Sequence, residues 1–378
     1  MAQAEDIIAL IEKIDNPNVA VEQARCLRVR NRNASCSRCM DACPASCITA
    51  EANKISFDAG ACLGCLTCCT VCPTMAMTPK RTSDTAQYAA AASSIAVTGG
   101  PAVFACSVLL DAARGLYDEQ AVVRVQCISG VDATMMVYLC TTGATEVVLA
   151  KGQCEGCALA PCLSTAEAQV KDANTILETW KATPRVNITS KLPASTRKPR
   201  QAGYDAARRS FFSDIRSESK KVATDAGSVA LDKALGHEEE SLISKIKVNG
   251  SGTLPLIPNP RRARLLAALD ALGEPEDEMI ATDLWSQVVI DVDKCRACRI
   301  CATFCPSGAL FKFHTKSGKI GVKQMVRDCV NCHCCLDVCL SGALTLYPEV
   351  FARDIAEGSV ERYEMEQQKA PNRFTFNG

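Results

Sequence analysis

Cysteine is the residue that most constrains this chain, which has 25 of them among 378 residues. In a short secreted chain that density would indicate disulfide bonds. The opening residues include Glu5 and Asp6, and they lack the basic, apolar and cleavage regions of a signal peptide. No stretch of the sequence approaches the roughly 20 apolar residues of a membrane span. The sequence therefore predicts a cytoplasmic chain whose reduced cysteines bind metal, with a co-exported subunit that lacks its own signal as the alternative.

The charge balance argues against a nucleic-acid partner. Lys plus Arg and Asp plus Glu are equal at 42 each, whereas a nucleic-acid binder usually shows a basic excess. Aromatic residues are only 5% of the chain, so stacking platforms for single strands are not indicated.

One arrangement of cysteines occurs twice. Residues 36–73 and residues 295–339 each contain two Cys-rich runs separated by a short stretch that favours a β-hairpin, ITAEANKISF in the first copy and ALFKFHTKSGKIGV in the second. Each copy is too small to bury a useful core alone. Metal ligation therefore has to replace the core in both copies.

The second copy has a complete ligand register. Its runs are Cys295-x2-Cys298-x2-Cys301-x3-Cys305-Pro306 and Cys329-x2-Cys332-x2-Cys335-x3-Cys339. This is the bacterial two-cluster spacing, in which the fourth Cys of each run ligates the other cluster. We expect one cluster on Cys295, Cys298, Cys301 and Cys339, and another on Cys305, Cys329, Cys332 and Cys335. Zinc is disfavoured because it usually takes its four ligands as two separated pairs.

Two residues of this copy depart from the pattern. Leu340 replaces the Pro that usually follows the fourth cysteine, which costs backbone rigidity but no ligand. Cys334 lies off the register beside Cys335, and we interpret it as a small buried thiol.

The first copy is less regular. Its complete run is Cys62-x2-Cys65-x2-Cys68-x3-Cys72-Pro73, whereas Cys36-x2-Cys39-x3-Cys43-Pro44 has Asn33 in the leading slot. We expect one cluster on Cys43, Cys62, Cys65 and Cys68. The other has Cys36, Cys39 and Cys72 and needs a fourth ligand.

Three arrangements would complete that site: Cys26, Cys47, or a [3Fe-4S] cluster on the three thiolates alone. Cys47 occupies the position of Ala76 and Ala309 in the sister runs, where a small buried residue is wanted. Cys26 lies among basic residues that favour a thiolate. The sequence favours Cys26, with [3Fe-4S] second.

These motifs closely resemble 2[4Fe-4S] ferredoxin domains, as found in electron-transfer subunits of anaerobic oxidoreductases. The resemblance covers residues 26–80 and 287–348. It implies four [4Fe-4S] clusters, one of which is [3Fe-4S] in the alternative above, but it does not indicate the partner reaction.

The segment between the modules, residues 95–190, has a different character. Short β-branched runs at residues 102–106, 121–127, 146–151 and 185–189 predict strands. Helices are predicted at residues 108–116, 132–142 and 164–181. Strands that alternate with helices indicate a parallel α/β sheet.

Cysteines follow the predicted strands of this segment. Because the carboxyl ends of parallel strands meet at one edge, these thiols are expected to converge there. The candidates are Cys106, Cys127, Cys154, Cys157 and Cys162. The alternative is that they are buried thiols without metal, as we interpret Cys140.

The stretch from VRVQCISGVD to ATEVVLAKGQCEGC resembles the delta iron–sulfur subunit of methanogen hydrogenase–heterodisulfide reductase complexes. That resemblance implies a [2Fe-2S] cluster on Cys106, Cys127 and two of the three later cysteines. The family's Cys-x-x-Cys after the first strand is reduced here to Cys106, since Leu109 fills the second place. Such a centre would connect the two modules that the chain places at opposite ends.

The predicted fold class is an α+β multidomain chain, in which two ferredoxin-like 2[4Fe-4S] modules flank a small parallel α/β domain. Residues 1–25 are predicted as a helical segment, residues 191–255 as a flexible linker and residues 349–378 as a C-terminal tail. Partner docking is the alternative role of the linker.

The sequence favours an electron-transfer protein without a catalytic site of its own. It lacks a dinucleotide fingerprint and a P-loop, and it has only three His. We expect a subunit that wires a redox enzyme partner to a low-potential donor or acceptor. The alternatives are a catalytic iron–sulfur oxidoreductase with its site in the central α/β domain, and a cluster carrier or regulator.

Overall fold

The computed structural model describes residues 18–51, 53–80, 83–198, 246, 248–250 and 252–365. Most of the predicted linker and of the predicted N-terminal helical segment lies outside these residues, as does the end of the predicted tail. The described part of residues 1–25 is not an α-helix. It is a short strand, Val19–Val21, followed by a 3-10 turn at Gln23–Arg25.

The strands within the described residues are β1 Val19–Val21, β2 Ile48–Glu51, β3 Lys54–Phe57, β4 Met77–Pro79, β5 Pro101–Cys106, β6 Val123–Val125, β7 Glu146–Ala150, β8 Arg185–Thr189, β9 Met279–Ala281, β10 Gln287–Ile290, β11 Leu310–His314, β12 Ile320–Met325, β13 Leu344–Tyr347, β14 Glu349–Phe351 and β15 Val360–Met365. The helices are α1 Leu27–Arg30, α2 Arg38–Asp41, α3 Thr67–Val71, α4 Asp84–Thr98, α5 Ser107–Ala112, α6 Ala133–Thr141, α7 Leu163–Thr179, α8 Pro260–Leu272, α9 Ile300–Phe304, α10 Cys334–Asp337 and α11 Ala352–Glu357.

The central segment forms the parallel sheet that the sequence predicts. Its strand order is β6-β5-β7-β8, and all three pairings are parallel. Phe104 of β5 and Leu149 of β7 are fully buried, as expected for strands that are covered on both faces of the sheet. Strand β6 is shorter than predicted because the chain turns into a 3-10 segment at Ile128–Gly130, just after Cys127.

Capping explains where two helices of this segment begin. The Ser83 side chain accepts a hydrogen bond from the Ala86 N–H at the start of α4, and Asp132 does the same for the Met135 N–H of α6. Helix α4 ends at Gly99, whose φ of 76° suits the left-handed position of a helix C-terminus.

The two cysteine modules repeat the same elements. In each, a short antiparallel pair (β1 with β4, β10 with β13) accompanies a hairpin (β2 with β3, β11 with β12). Two short helices carry cysteines in each copy, α2 and α3 in the first and α9 and α10 in the second. We call residues 18–80 the N-terminal module and residues 286–347 the C-terminal module.

The predicted C-terminal tail is folded up to Met365. Strand β14 pairs with β9, and β15 adds to the hairpin of the C-terminal module by pairing with β12 from Met325↔Val360 to Ile320↔Met365. Half of the residues of β15 are charged and most are exposed, as is common on an edge strand.

Helix α8 holds the three parts together. Its N-cap residue Asn259 donates a side-chain hydrogen bond to the Pro73 carbonyl oxygen of the N-terminal module. The helix packs on α6 of the central segment, and Leu265 and Leu269 are buried in the core there. Arg262 donates to the Cys329 carbonyl oxygen of the C-terminal module at 3.0 Å.

Candidate metal centres

Three of the four cysteine runs share one backbone conformation. On either side of Cys65, Gly64 and Leu66 both have positive φ, 71° and 62°. The residues that flank Cys298 and Cys332 also have positive φ. Left-handed backbone at non-glycine residues costs about 1–3 kcal/mol and is typical of ligand-binding loops. Residues 36–43, all described, contain no such residue, so the incomplete run is also irregular in conformation.

The outer site of the C-terminal module is a cavity lined by the expected cysteines, Cys295, Cys298, Cys301 and Cys339. The Ala343 N–H donates to the Cys339 Sγ at 3.3 Å, which stabilises a thiolate. Among the cysteines, all of which the structure describes, only Cys298 is exposed. This site therefore lies next to solvent.

The inner site of this module is more deeply buried. Burial raises the pKa of the Cys335 thiol, and the neighbouring thiols of Cys305 and Cys329 raise it further. Burial also raises the pKa of Cys332 well above its ordinary value, and the nearby Cys305 thiol raises it further. The structure thus brings Cys305, Cys329, Cys332 and Cys335 together, as the register predicts.

The first site of the N-terminal module contains the cysteine that the sequence favours as fourth ligand. Cys26, Cys36, Cys39 and Cys72 line one cavity. Burial raises the pKa of Cys26, with the N–H groups of Val29 and Arg28 opposing the shift. The Ala76 N–H donates to the Cys72 Sγ at 3.2 Å. Cys47 does not line this cavity.

The second site of the N-terminal module has one more thiol than expected. Its cavity is lined by the expected ligands and by Cys47: the cysteines are Cys43, Cys47, Cys62, Cys65 and Cys68. The Cys47 Sγ lies 3.4 Å from the Cys43 Sγ.

The candidate thiols of the central domain gather at the carboxyl edge of the sheet. Cys106 is the last residue of β5, and its Sγ accepts a hydrogen bond from the Gly152 N–H at 3.0 Å. Burial raises the pKa of Cys154, which also lies within electrostatic range of Cys127, Cys106 and Cys157. These four cysteines are therefore neighbours, as the sheet topology predicts.

Cys162 is placed differently from the other four. It is 1% exposed and packs with Cys65 of the N-terminal module and Leu159, against Cys127 and Cys157. The Cys162 thiol has one proton, which it can donate to either Cys127 or Cys65, and this hydrogen bonding is the main cause that lowers the pKa of each to about 6. Cys162 thus lies between the central site and the second N-terminal site.

The N-terminal module and the central domain are also in close contact beside Cys162. The Thr70 hydroxyl donates to the Ser129 carbonyl oxygen at 2.8 Å, and the Thr67 and Ser129 hydroxyl oxygens are 2.7 Å apart. A Cβ at Gly130 would lie 3.0 Å from the Cys65 carbonyl oxygen. A side chain at position 130 would therefore press on the Cys65 backbone where the central domain meets the second N-terminal site.

A second contact joins the two modules directly. Cys36 of the first N-terminal site and Cys332 of the inner C-terminal site pack on one small cluster, formed by Leu27, Ala34 and Cys334. The Ser35 backbone N–H and hydroxyl both donate to the Asp337 carboxylate, at 3.0 and 2.7 Å. Arg38 donates to the Asn331 carbonyl oxygen at 2.6 Å.

These contacts correct one expectation about the order of the sites. The central site does not lie between the modules, because the modules contact each other at Cys36 and Cys332 while the central domain contacts the far site of the N-terminal module. The prediction followed the order of the segments along the chain, whereas the contact between the two modules depends on the fold. No local signal in the sequence reveals that contact.

The remaining cysteines are buried without lining a predicted site. Cys140 belongs to the central core, and the Cys334 thiol donates weakly to the Phe304 carbonyl oxygen. Within the described residues, no group of three or more His, Cys, Asp or Glu is arranged to hold a single metal ion. None of the described helices is long and apolar enough to cross a bilayer.

Comparisons with known proteins identify part of the chain. Residues 286–343 match the family described as 4Fe-4S dicluster domain. An uncharacterized ferredoxin of Methanocaldococcus jannaschii is 32% identical over 60 residues, which are 16% of this chain and 39% of that relative. The chain thus spans well under half the length of the curated relative it matches. No solved structure matches the chain.

The matched residues contain the complete double register of the C-terminal module. This segment is therefore a ferredoxin-like 4Fe-4S domain, and [4Fe-4S] clusters are cofactors of the chain. The class of this domain indicates electron transfer.

Proposed function

We propose that the chain is a multi-cluster electron-transfer subunit whose centres form one continuous series across both modules and the central domain. The series runs from the outer C-terminal site to the inner C-terminal site, then through the first and second N-terminal sites to the central site. The contacts at Cys36–Cys332 and at Cys65–Cys162–Cys127 carry this proposal.

The donor sets fit the proposed clusters. Four thiols around one cavity, with N–H groups that donate to the sulfurs, are what a [4Fe-4S] cluster requires. The first N-terminal site is assigned Cys26, Cys36, Cys39 and Cys72. When bound, each cluster supplies a one-electron redox centre. The protein residues hold the clusters in place, exclude water and set their spacing.

The central site is assigned a [2Fe-2S] cluster on Cys106, Cys127, Cys154 and Cys157. The convergence of these thiols at the sheet edge supports this assignment, together with the resemblance to the delta subunit. Cys162 is left out of the ligand set because it is shared between this site and Cys65. It fills the gap between the two sites with a buried thiol in place of water.

The ends of the series are the points where partners would exchange electrons. Cys298 is the exposed cysteine of the outer C-terminal site, and Leu340 beside Cys339 is 90% exposed. An apolar side chain next to a cluster ligand suits a docking face for a redox protein. We assign this end to a low-potential donor or acceptor and the central domain to a partner subunit.

EPR of the full-length protein, anaerobically reconstituted and reduced with dithionite, tests the order of the centres. Because neighbouring reduced clusters broaden each other's signals, Cys329→Ala/Cys332→Ala should narrow the signal of the first N-terminal site, which then has only the second N-terminal site as a neighbour. The matched control, Cys154→Ala/Cys157→Ala, should leave that site unchanged and sharpen only the second N-terminal site. The opposite dependence would mean that the central site lies between the modules and would refute the proposed series.

A further inference from the structure

A similar turn follows the last cysteine of each of the four runs, and one of these turns differs from the other three at a single buried position. Five residues beginning at the cysteine form this turn, and the fifth is a buried alanine in three copies: Ala76, Ala309 and Ala343. In the first run the fifth residue is Cys47, which is 7% exposed. The fourth residue has positive φ in every copy, at Ser46 as at its counterparts. The four turns therefore follow the same course, and Cys47 adds a sulfur where the others have only a methyl group.

That sulfur points at a metal site. The Cys47 Sγ is 3.4 Å from the Cys43 Sγ, and Cys47 lines the same cavity as Cys62, Cys65 and Cys68. A cubane cluster has four iron corners, so this site has one thiol more than it can bind.

We propose that Cys47 is a reserve ligand that binds the iron corner of Cys43 when Cys43 leaves it. In the exchange, the bond between iron and the Cys43 sulfur breaks and a bond between iron and the Cys47 sulfur forms. The proton of the Cys47 thiol passes to the departing Cys43 thiolate, so charge and atoms balance. The 3.4 Å contact allows that proton to move directly between the two sulfurs. This inference rests on the cluster assignment made above.

Iron analysis and low-temperature EPR of full-length variants test the proposal. Cys43→Ala should keep the wild-type iron content, because Cys47 takes the vacated corner and loses its proton to solvent. Cys43→Ala/Cys47→Ala should lose about four iron atoms or convert the site to a [3Fe-4S] signal. Cys305→Ala is the matched control, since its turn has Ala309 in place of a spare thiol, and it should show the loss as a single variant.

The single variant Cys47→Ala copies the three sister turns, should fold, and should keep all its iron. Loss of iron in Cys47→Ala would make Cys47 a resident ligand and overturn the proposal, as would loss in Cys43→Ala or full retention in the double variant. The wild-type iron content separates this failure from that of the proposed function. If iron analysis showed that the wild-type protein holds no clusters in its N-terminal module, the cluster assignment itself would be refuted.

Discussion

Arg261 of α8 contacts both the N-terminal module and the central segment, and we expect its removal to destabilise the protein strongly. Its guanidinium nitrogens lie 3.1 Å from the Asp84 carboxylate and 3.3 Å from that of Asp132, and they donate to the Cys69 carbonyl oxygen at 2.9 Å. The side chains of Arg261, Asp84 and Asp132 are only 12%, 16% and 10% exposed. Arg261→Met would therefore leave two buried carboxylates without their main partner.

Breaking a buried ion pair by removing one member costs about 3–5 kcal/mol. Arg264 lies 3.6 Å from Asp84 and compensates in part, so we expect the lower end, about 3 kcal/mol. Since each 1.36 kcal/mol corresponds to a factor of ten, unfolding should accelerate roughly a hundredfold. Anaerobic unfolding in guanidinium, followed by loss of the cluster absorbance, measures this rate.

Lys181→Met is the control for loss of a cation. Lys181 pairs with Glu276 on the surface, where the side chains are 60% and 55% exposed. Exposed ion pairs contribute little to stability, so the unfolding rate should change by no more than about fivefold. An Arg261→Met unfolding rate within the range of this control would refute the role of Arg261 as a buried ion-pair partner that stabilises the contact between the N-terminal module and the central segment.

Three further perturbations have defined outcomes. Cys26→Ser should convert the first N-terminal site to a [3Fe-4S] EPR signal in the oxidised protein, and an unchanged spectrum would exclude Cys26 as ligand. Gly321→Ala should destabilise the C-terminal module by about 1–3 kcal/mol, because a Cβ there would lie 2.1 Å from the Tyr363 carbonyl oxygen; equal unfolding rates for Gly321→Ala and Gly250→Ala, whose Cβ meets nothing, would contradict this. Burial raises the pKa of Asp172 to about 6, so its folded form favours the proton and wild-type stability falls as pH rises through 6. Asp172→Asn should therefore unfold more slowly than wild type at pH 7.5 and lose this advantage only below about pH 4, where the unfolded carboxyl is protonated as well, and a pH-independent difference would contradict the assignment.

The sequence predicted the sheet of the central domain because its strands are buried on both faces. Residues 102–106 and 147–150 are continuous apolar runs, and the observed strands differ by one residue at an end from the predicted ranges 102–106 and 146–151. Helix α4 was missed because its buried face consists of small or polar residues such as Ala91 and Ser94. The Ser94 hydroxyl donates to the Ala121 carbonyl oxygen, a contact that apolar periodicity does not reveal.

The cysteines that share one site could be predicted where their spacing along the sequence determines the grouping. The outer and inner C-terminal sites follow from the register, and the placement of Cys26 agrees with the choice made from its basic neighbours. The position of Cys162 could not be predicted, because it depends on how the central domain packs against Cys65. Strand β15 lies within the predicted tail, and its place in the sheet comes from its pairing with β12.

The irregularity of the first cysteine run has a structural explanation in the contact between the modules. A regular run would place its leading cysteine at position 33, but the chain has Asn33 there and uses residues 27–35 differently. Leu27 and Ala34 are 2% and 3% exposed because they pack on Cys334 of the other module, and Ser35 donates to Asp337. If residues 27–35 formed a ligand loop wrapped closely around a cluster, they would not be free to pack against the C-terminal module. In the proposed assignment the fourth ligand is Cys26, the residue before α1, which keeps a complete thiol set and releases the intervening residues to bring the two modules into contact.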